Sequence, residues 1–467
     1  MKRNIILNTD SYKASHFLQY PPGTEIVHSY IESRGGEYPE TVFFGLQAFI
    51  KEYLTKRVTY SDVEEAKTFC QKHGVPFNEE GWRYIVDKHE GMLPLEIKSV
   101  LEGTIVPVNN VLVTVENTDP KCFWLTSYVE TALLRAVWYP TTVATISRKI
   151  HTIIKGFLKA TADDLSGLSF KLNDFGARGV SSLESSELGG MGHLLNFQGT
   201  DNIPACLAVW EYYRTSEMPG FSIPAAEHST ITSWGRDEEA QAYANMLDKY
   251  AKPGALIAVV SDSYDIYHAV DFIWGQQLKQ KVIDSGAMVV IRPDSGNPAE
   301  VVLEITHLLN ERFGSNINSK GYKVLNNVRI IQGDGINENS IKEILDALVY
   351  AGFSADNVAF GMGGALLQHM NRDTLKFAMK CSAIRVNSLW RDVYKDPKTD
   401  KGKRSKRGRN MLYRHTHTNV IFTGPQENNI EPKYEPILVP VYRNGKLLVN
   451  QTWEEIKTRL TNQISII

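Results

Sequence analysis

The second half of the chain repeats one pattern: a short apolar run, a polar turn, then a longer amphipathic stretch. Ala255–Val260 (ALIAVV) runs into SDSYD and IYHAVDFIWGQQL. Met288–Ile291 (MVVI) runs into RPDSGNP and AEVVLEITHLLNERF. Val328–Ile331 (VRII) is followed by QGDG and NENSIKEILDALVY, and Val358–Phe360 (VAF) by GMGG and ALLQHM. Each unit reads as strand, Asp/Gly turn, helix. The strand cores recur at roughly thirty to forty residues, the length of a βα unit. Unbroken apolar runs predict parallel strands covered on both faces. Repeated βα units predict an α/β fold, either a barrel or a doubly wound sheet. In both, the turns after the strands meet at one end, which holds the active site.

Upstream, SGLSFKLNDFGARG reads as a further strand, Leu168–Leu172, entering a polar turn. Residues 1–145 read as α+β, with strand-like runs between Ile97 and Val115. Residues 146–384 carry the α/β barrel units. Residues 385–467 return to short strands, with Asn-Gly in PILVPVYRNGKLLV as a hairpin signal, and are expected to pack on the N-terminal part as one discontinuous domain.

A chain of 467 residues, 42% hydrophobic and 22% charged, buries a full core without staples. A net charge of −2 argues against wholesale nucleic-acid binding. The four cysteines, Cys70, Cys122, Cys206 and Cys381, form no CxxC pair, so a zinc ribbon or disulfide framework is not expected and a reducing cytoplasm fits. The N-terminal MKRNIILNTDSYK lacks a signal-peptide core, and no run approaches the length that spans a bilayer.

Candidate chemistry gathers at the strand ends. In IPAAEHSTITSWG, His228 stands between Glu227 and the hydroxyls of Ser229, Thr230 and Thr232. Such a histidine reads either as a hydrogen-bonded loop residue or as a reactive imidazole. GMGG (361–364) and GDG (333–335) read either as tight turns or as backbone cradles for an anion at a helix N-terminus. Neither is a P-loop. In RPDSGNP, Arg292 suits a phosphate and Asp294 suits sugar hydroxyls, unless the two simply pair to close the turn. Three such turns at equivalent positions favour a phosphorylated sugar. DFGARG offers Phe175 and Arg178 as a cradle for a flat polar ring, and no kinase loop accompanies its DFG. The basic run KGKRSKRGR (401–409) reads as a solvated loop or a nucleic-acid patch, and His415 and His417 lack an evident third metal ligand.

TDSYK, QYPPGT, DFGARGVSS, NFQGTD, PAAEHSTIT, VVSDSYDIY, IRPDSGNP, QGDG and AFGMGG, in this order, resemble the nicotinamide phosphoribosyltransferase family over nearly the whole chain. The resemblance implies a type II phosphoribosyltransferase fold: an irregular (β/α) barrel plus an α+β domain built from both chain ends. It implies transfer of 5-phosphoribosyl from phosphoribosyl pyrophosphate to nicotinamide, with Mg²⁺, in a homodimer with shared active sites. His228 matches the histidine that ATP phosphorylates, oriented by Asp265 and located by Glu227. Phe175 and the partner's Tyr12 are expected to sandwich the pyridine ring. Asp201 is expected to take the carboxamide, and Arg178 to hold the nicotinamide and phosphate side. The resemblance gives Arg292, Gly363 and Gly364 to the 5′-phosphate, and Asp294, Gly333 and Asp334 to the ribose. Arg34, Arg372 and Lys380 are expected at pyrophosphate or ATP phosphates, the last two across the dimer. The sequence departs from the animal form at Asn173, Ala378 and the short GGEYPE segment.

The nearest rival is a nicotinate phosphoribosyltransferase, which a carboxylate at Asp201 disfavours. A metal-dependent barrel hydrolase lacks the ligand spacing it needs. A non-enzymatic extracellular signalling role leaves the charged strand-end turns without a purpose.

Overall fold

The computed structural model describes residues 4–399, 403–426 and 430–463, and the chain forms two compact units. The first comprises Met1–Thr145, Val209–Ser216 and Met370–Ile467; the second comprises Ile146–Ala208 and Glu217–His369.

The first unit is built on an antiparallel sheet in the order Leu389–Asp392, Phe377–Val386, Thr24–Ser33, Val111–Asn117, Leu95–Ser99, Val439–Arg443, Lys446–Leu447. Strands from the C-terminal part therefore flank the three N-terminal strands on both sides of one sheet. The last hairpin turns on Asn444-Gly445, both at positive φ (49° and 82°), as a tight turn between right-twisted strands requires. The barrel segment expected to run to residue 384 ends earlier. Phe377–Val386 pairs with Thr24–Ser33 along its whole length and so belongs to this sheet. Trp82, Trp124 and Tyr128 pack edge to face at 5.0–5.7 Å in its core.

The second unit is a curled parallel sheet in the order Gly199–Thr200, Leu172–Asp174, Val358–Met362, Val328–Gln332, Met288–Arg292, Leu256–Val260. Its two edges are joined through one irregular segment. Phe221 bridges in parallel to Gly199, and Ala225 bridges to Ala258. Thr200 N donates to Phe221 O (2.9 Å), and Ala226 N donates to Ala258 O (2.9 Å). Pro219 and Pro224 lack N–H groups, which keeps this stave from forming a regular ladder. The expected strand Leu168–Leu172 is displaced. Leu168–Phe170 makes a 3₁₀ turn, and only Leu172–Asp174 reaches the register of Phe360–Met362. The segment after SDSYD is helical, but Ala269–Gln277 winds as a π-helix.

Inside this barrel Ala258, Val290 and Ile331 face one another, with Phe175 and Ala359 against them. Three of these five side chains are Ala or Val, too short to fill the axis, and a cavity of about 790 Å³ remains.

One buried acid in the first unit gives a testable consequence. Glu102 accepts from Gln47 N (2.7 Å) and Tyr213 Oη (2.7 Å) without contact with water, and burial pushes its carboxyl up to about 7. Between the ordinary glutamate value of 4.5 and about 7, the native state keeps a proton that the unfolded chain has lost. Stability is therefore lost as pH rises through this window, by about 3 kcal/mol from this group. Thermal unfolding of Glu102→Gln against wild type, from pH 5 to pH 8, should show the variant gaining relative stability as pH rises. Parallel curves would contradict it.

Candidate active site

The irregular stave leads directly to His228. Glu227 closes the start of the short helix His228–Thr232: the Ser229 hydroxyl donates to its carboxylate, and Thr230 Oγ1 accepts its N–H at 3.3 Å. Glu227 therefore locates His228 through the helix start. The imidazole is half-exposed. Its Nδ1 lies 3.3 Å from Ser263 Oγ, and its Nε2 lies 3.6 Å from Asp262 Oδ1 and 3.7 Å from Asp294 Oδ2. Asp262 is nearly buried. Its Oδ2 accepts from Asp294 N (3.0 Å) and Ser295 Oγ (2.6 Å), while Oδ1 is buried with no hydrogen-bond partner.

Asp265, the expected orienter of the histidine, does not do this. It caps the next helix, accepting from Tyr267 N (3.0 Å) and His268 N (3.1 Å). A carboxylate at the N-cap turns toward the first free amides of its own helix. Within SDSYD, Asp262 is the acid that faces His228. Sequence reasoning missed it because both acids follow the same strand.

The ring cradle lies across the mouth. Phe175 N donates to Met362 O (3.0 Å), and the Arg292 guanidinium stands 5.9 Å from the Phe175 ring centroid. Asp201 lines the same cavity, with Ser222 Oγ donating to its Oδ1 at 2.5 Å. That bond leaves Oδ2 for a ligand donor. Asn173 also lines the cavity and ties its amide to Phe170 O and Phe360 O. Arg178 is exposed in the turn after Phe175. Charge also lines the cavity: Lys171 Nζ sits 3.0 Å from Asp356, and Arg329 is 3.8 Å from the same acid.

The phosphate turns are present with altered roles for some residues. Arg292 and Asp294 do pair, at 2.7 Å, so the guanidinium is held at the strand end by the acid beside it. Gly333 lies against this pair; a Cβ there would stand 3.1 Å from Asp294 Oδ1. Asp334 is exposed in the same turn, its carbonyl held by Gln332 Nε2 (3.0 Å). In GMGG, Gly363 and Gly364 open the helix Gly364–Leu367. Gly361 has another purpose: a Cβ there would fall 2.0 Å from Phe175 Cε2. It makes room for the ring.

Four of the expected residues lie in the first unit. Tyr12 is 59% exposed and stacks edgewise on His16. Arg34, Arg372 and Lys380 are electrostatic neighbours. Burial, with Arg34, Lys13 and Arg372 nearby, lowers the Lys380 ammonium, and Glu130 opposes the shift. Lys13, unremarked in the sequence, joins this cluster through its ion pair with Glu130. Ala378 is buried on the same strand as Lys380.

The remaining motifs are structural. In the basic run, Lys406 pairs with buried Glu32, and Arg409 lies 3.1 Å from Glu116; residues 401 and 402 are outside the described residues. His415 Nδ1 accepts from His417 N and Thr418 N within its own turn. Among the described residues, His89, Asp119 and Cys122 have metal-ligand spacing. Asp119 already accepts from His89 and Tyr84, and burial raises the Cys122 thiol to about 12.

The architecture is that of the type II phosphoribosyltransferases. A nicotinate-nucleotide pyrophosphorylase from Pyrococcus furiosus superposes with a TM-score of 0.62 at 16% identity, covering 99% of this chain and 98% of that one. Human nicotinic acid phosphoribosyltransferase gives 0.60 at 14%, over 97% and 92%. In sequence, residues 170–434 match the nicotinate phosphoribosyltransferase family, and residues 4–97 match the nicotinamide phosphoribosyltransferase N-terminal domain. A nicotinamide phosphoribosyltransferase of Xanthomonas campestris is 56% identical over 97% of both chains. That of Acinetobacter baylyi is 31% identical over 97% of this chain and 96% of its own. The chain belongs to the nicotinamide phosphoribosyltransferase family and is an enzyme of the phosphoribosyltransferase class.

Gly361→Ala tests the cradle. The methyl group must push the Phe175 ring aside, so phosphoribosyltransferase activity should fall about tenfold or more at limiting base, roughly 1.4 kcal/mol. Undiminished kcat/KM for the base in a folded variant would remove Phe175 from the site.

Proposed function

We propose that the enzyme joins nicotinamide to the phosphoribosyl group of phosphoribosyl pyrophosphate, giving nicotinamide mononucleotide and pyrophosphate in NAD salvage. The observation that carries this reading is Asp201, an acceptor-only carboxylate at the cavity beside Phe175. A carboxamide NH₂ donates to it, whereas the carboxylate of nicotinate would face like charge. Phe175 covers one face of the ring, and Tyr12 of a second copy is proposed to cover the other in a homodimer. Arg292 takes the 5′-phosphate with the amides of Gly363 and Gly364, and Arg178 lies on the nicotinamide side. Asp294, Gly333 and Asp334 meet the ribose. Arg34, Arg372 and Lys380 supply positive charge for pyrophosphate or ATP.

ATP coupling through His228 is supported by the tautomer its neighbours favour. Two carboxylates 3.6 and 3.7 Å from Nε2 favour a proton there by charge, which would leave the Nδ1 lone pair to attack the γ-phosphorus of ATP as ADP departs. Hard oxygen donors at Asp262 and Asp294, one of them an unpartnered buried oxygen, fit Mg²⁺. When bound, the ion neutralises charge on the departing pyrophosphate. Four unpaired cysteines accord with a cytoplasmic setting.

Product formation should be followed by chromatography with phosphoribosyl pyrophosphate, Mg²⁺ and either nicotinamide or nicotinate, with and without ATP. Nicotinamide mononucleotide should dominate, and ATP should raise its yield. Asp262→Asn should lose about tenfold or more of the ATP-dependent gain, while Asp265→Asn keeps it, because Asn caps a helix as well as Asp does. The reverse ranking would return the orienting role to Asp265.

A further inference from the structure

Behind the cavity wall lies a closed polar network that the transfer chemistry does not use. Asn202 is fully buried and uses all four of its side-chain hydrogen-bonding positions. Its Nδ2 donates to Asp174 Oδ2 (2.9 Å) and Ser186 O (2.9 Å), and its Oδ1 accepts from Ser186 Oγ (2.9 Å) and Ala205 N (3.2 Å). Asp174 is also fully buried, and its Oδ1 accepts from Gly176 N at 2.7 Å. Its carbonyl accepts from Asp201 N at 3.0 Å.

The consequence lies in the chain order. Asp174 precedes Phe175, which lies against the ring face of the cavity. Asp201 precedes Asn202. Residues 201 and 202 both hang from residue 174, one by a backbone bond and the other by a side-chain bond. The ring face and the pocket carboxylate are thus fixed to one rigid element. The helix Leu183–Leu194 backs this element at very short range: a Cβ on Gly190 would fall 2.5 Å from Asn202 Nδ2. An apolar residue at 202 would fill the space, but only the amide bonds both Asp174 and Ser186.

We infer that Asn202, with Ser186 behind it, is a positioning residue that sets the distance between Phe175 and Asp201, and so the fit of the pyridine base. This rests on the proposed base-binding role of that pair. It assigns Asn202 no contact with substrate.

The test is steady-state kinetics with the base varied at saturating phosphoribosyl pyrophosphate, and the reverse, on wild type, Asn202→Asp and Ser186→Ala. The base is whichever of nicotinamide and nicotinate the wild type turns over, so an error in the choice of base shows in the wild type alone. N202D sets a second carboxylate against Asp174; KM for the base should rise about tenfold or more, with kcat and the phosphoribosyl pyrophosphate KM within about twofold. S186A removes one of the two donors to Asn202 Oδ1 and should raise the same KM about threefold. A lowered Tm with an unchanged base KM in the folded variants would make the network purely structural and overturn the inference. So would equal rises in both KM values. If N202D does not fold, S186A decides alone by the same criterion.

Discussion

A curled parallel sheet must join its two edges, and here the join is made by a few backbone hydrogen bonds to residues 221–226. The same segment decides what stands at the mouth of the barrel. Ser222 leaves it to hold one oxygen of Asp201, and the chain then turns into the helix that begins with His228. A regular strand would have carried an unbroken ladder and a helical return. The weak stave instead delivers a hydroxyl and an imidazole to the same end where four βα turns converge. The second consequence is the hollow axis, because short side chains face inward where a packed barrel would carry larger ones.

The site is an assembly of acids kept apart by their partners. Asp201 is held by Ser222, Asp294 by Arg292, and Asp174 by Asn202 and Gly176. Burial raises the Asp174 carboxyl, with the neighbouring Asp201 adding to the shift and His193 opposing it. Asp262 keeps one oxygen free, and that oxygen faces His228. On the proposed function, such an arrangement would separate three tasks by environment: reading an amide, holding a ribose and polarising an imidazole.

Much of this was legible in the sequence, for physical reasons. Apolar runs ending in Asp or Gly turns marked the strands at 256–260, 288–292, 328–332 and 358–362, because buried parallel strands carry no alternation. Arg292 and Asp294 could be placed because one ends and the other follows such a strand, and Phe175 because it opens the turn after Leu172–Asp174; Asp201 was given by the family resemblance. Other features were hidden. Phe221–Ala226 shows no strand pattern in the sequence, since single bridges leave no periodic trace. Asp262 and Asp265 differ only in which way a carboxylate turns, which helix capping decides. Gly361 resembles a phosphate-loop glycine, although its nearest neighbour is an aromatic ring. Asn202 carries no motif, because its partners, Asp174 and Ser186, come from separate segments. The strand Phe377–Val386 follows the barrel units directly, and only its pairing with Thr24–Ser33 assigns it to the other sheet.

The central claim is that ring closure delivers His228 as the group that takes phosphate from ATP. Peptide mapping by mass spectrometry at neutral to alkaline pH, after brief exposure to ATP and Mg²⁺, tests it most directly. The account predicts an acid-labile phosphate on the peptide carrying His228, which disappears when nicotinamide and phosphoribosyl pyrophosphate are added. An unmodified His228 in enzyme whose product yield still rises with ATP would contradict it.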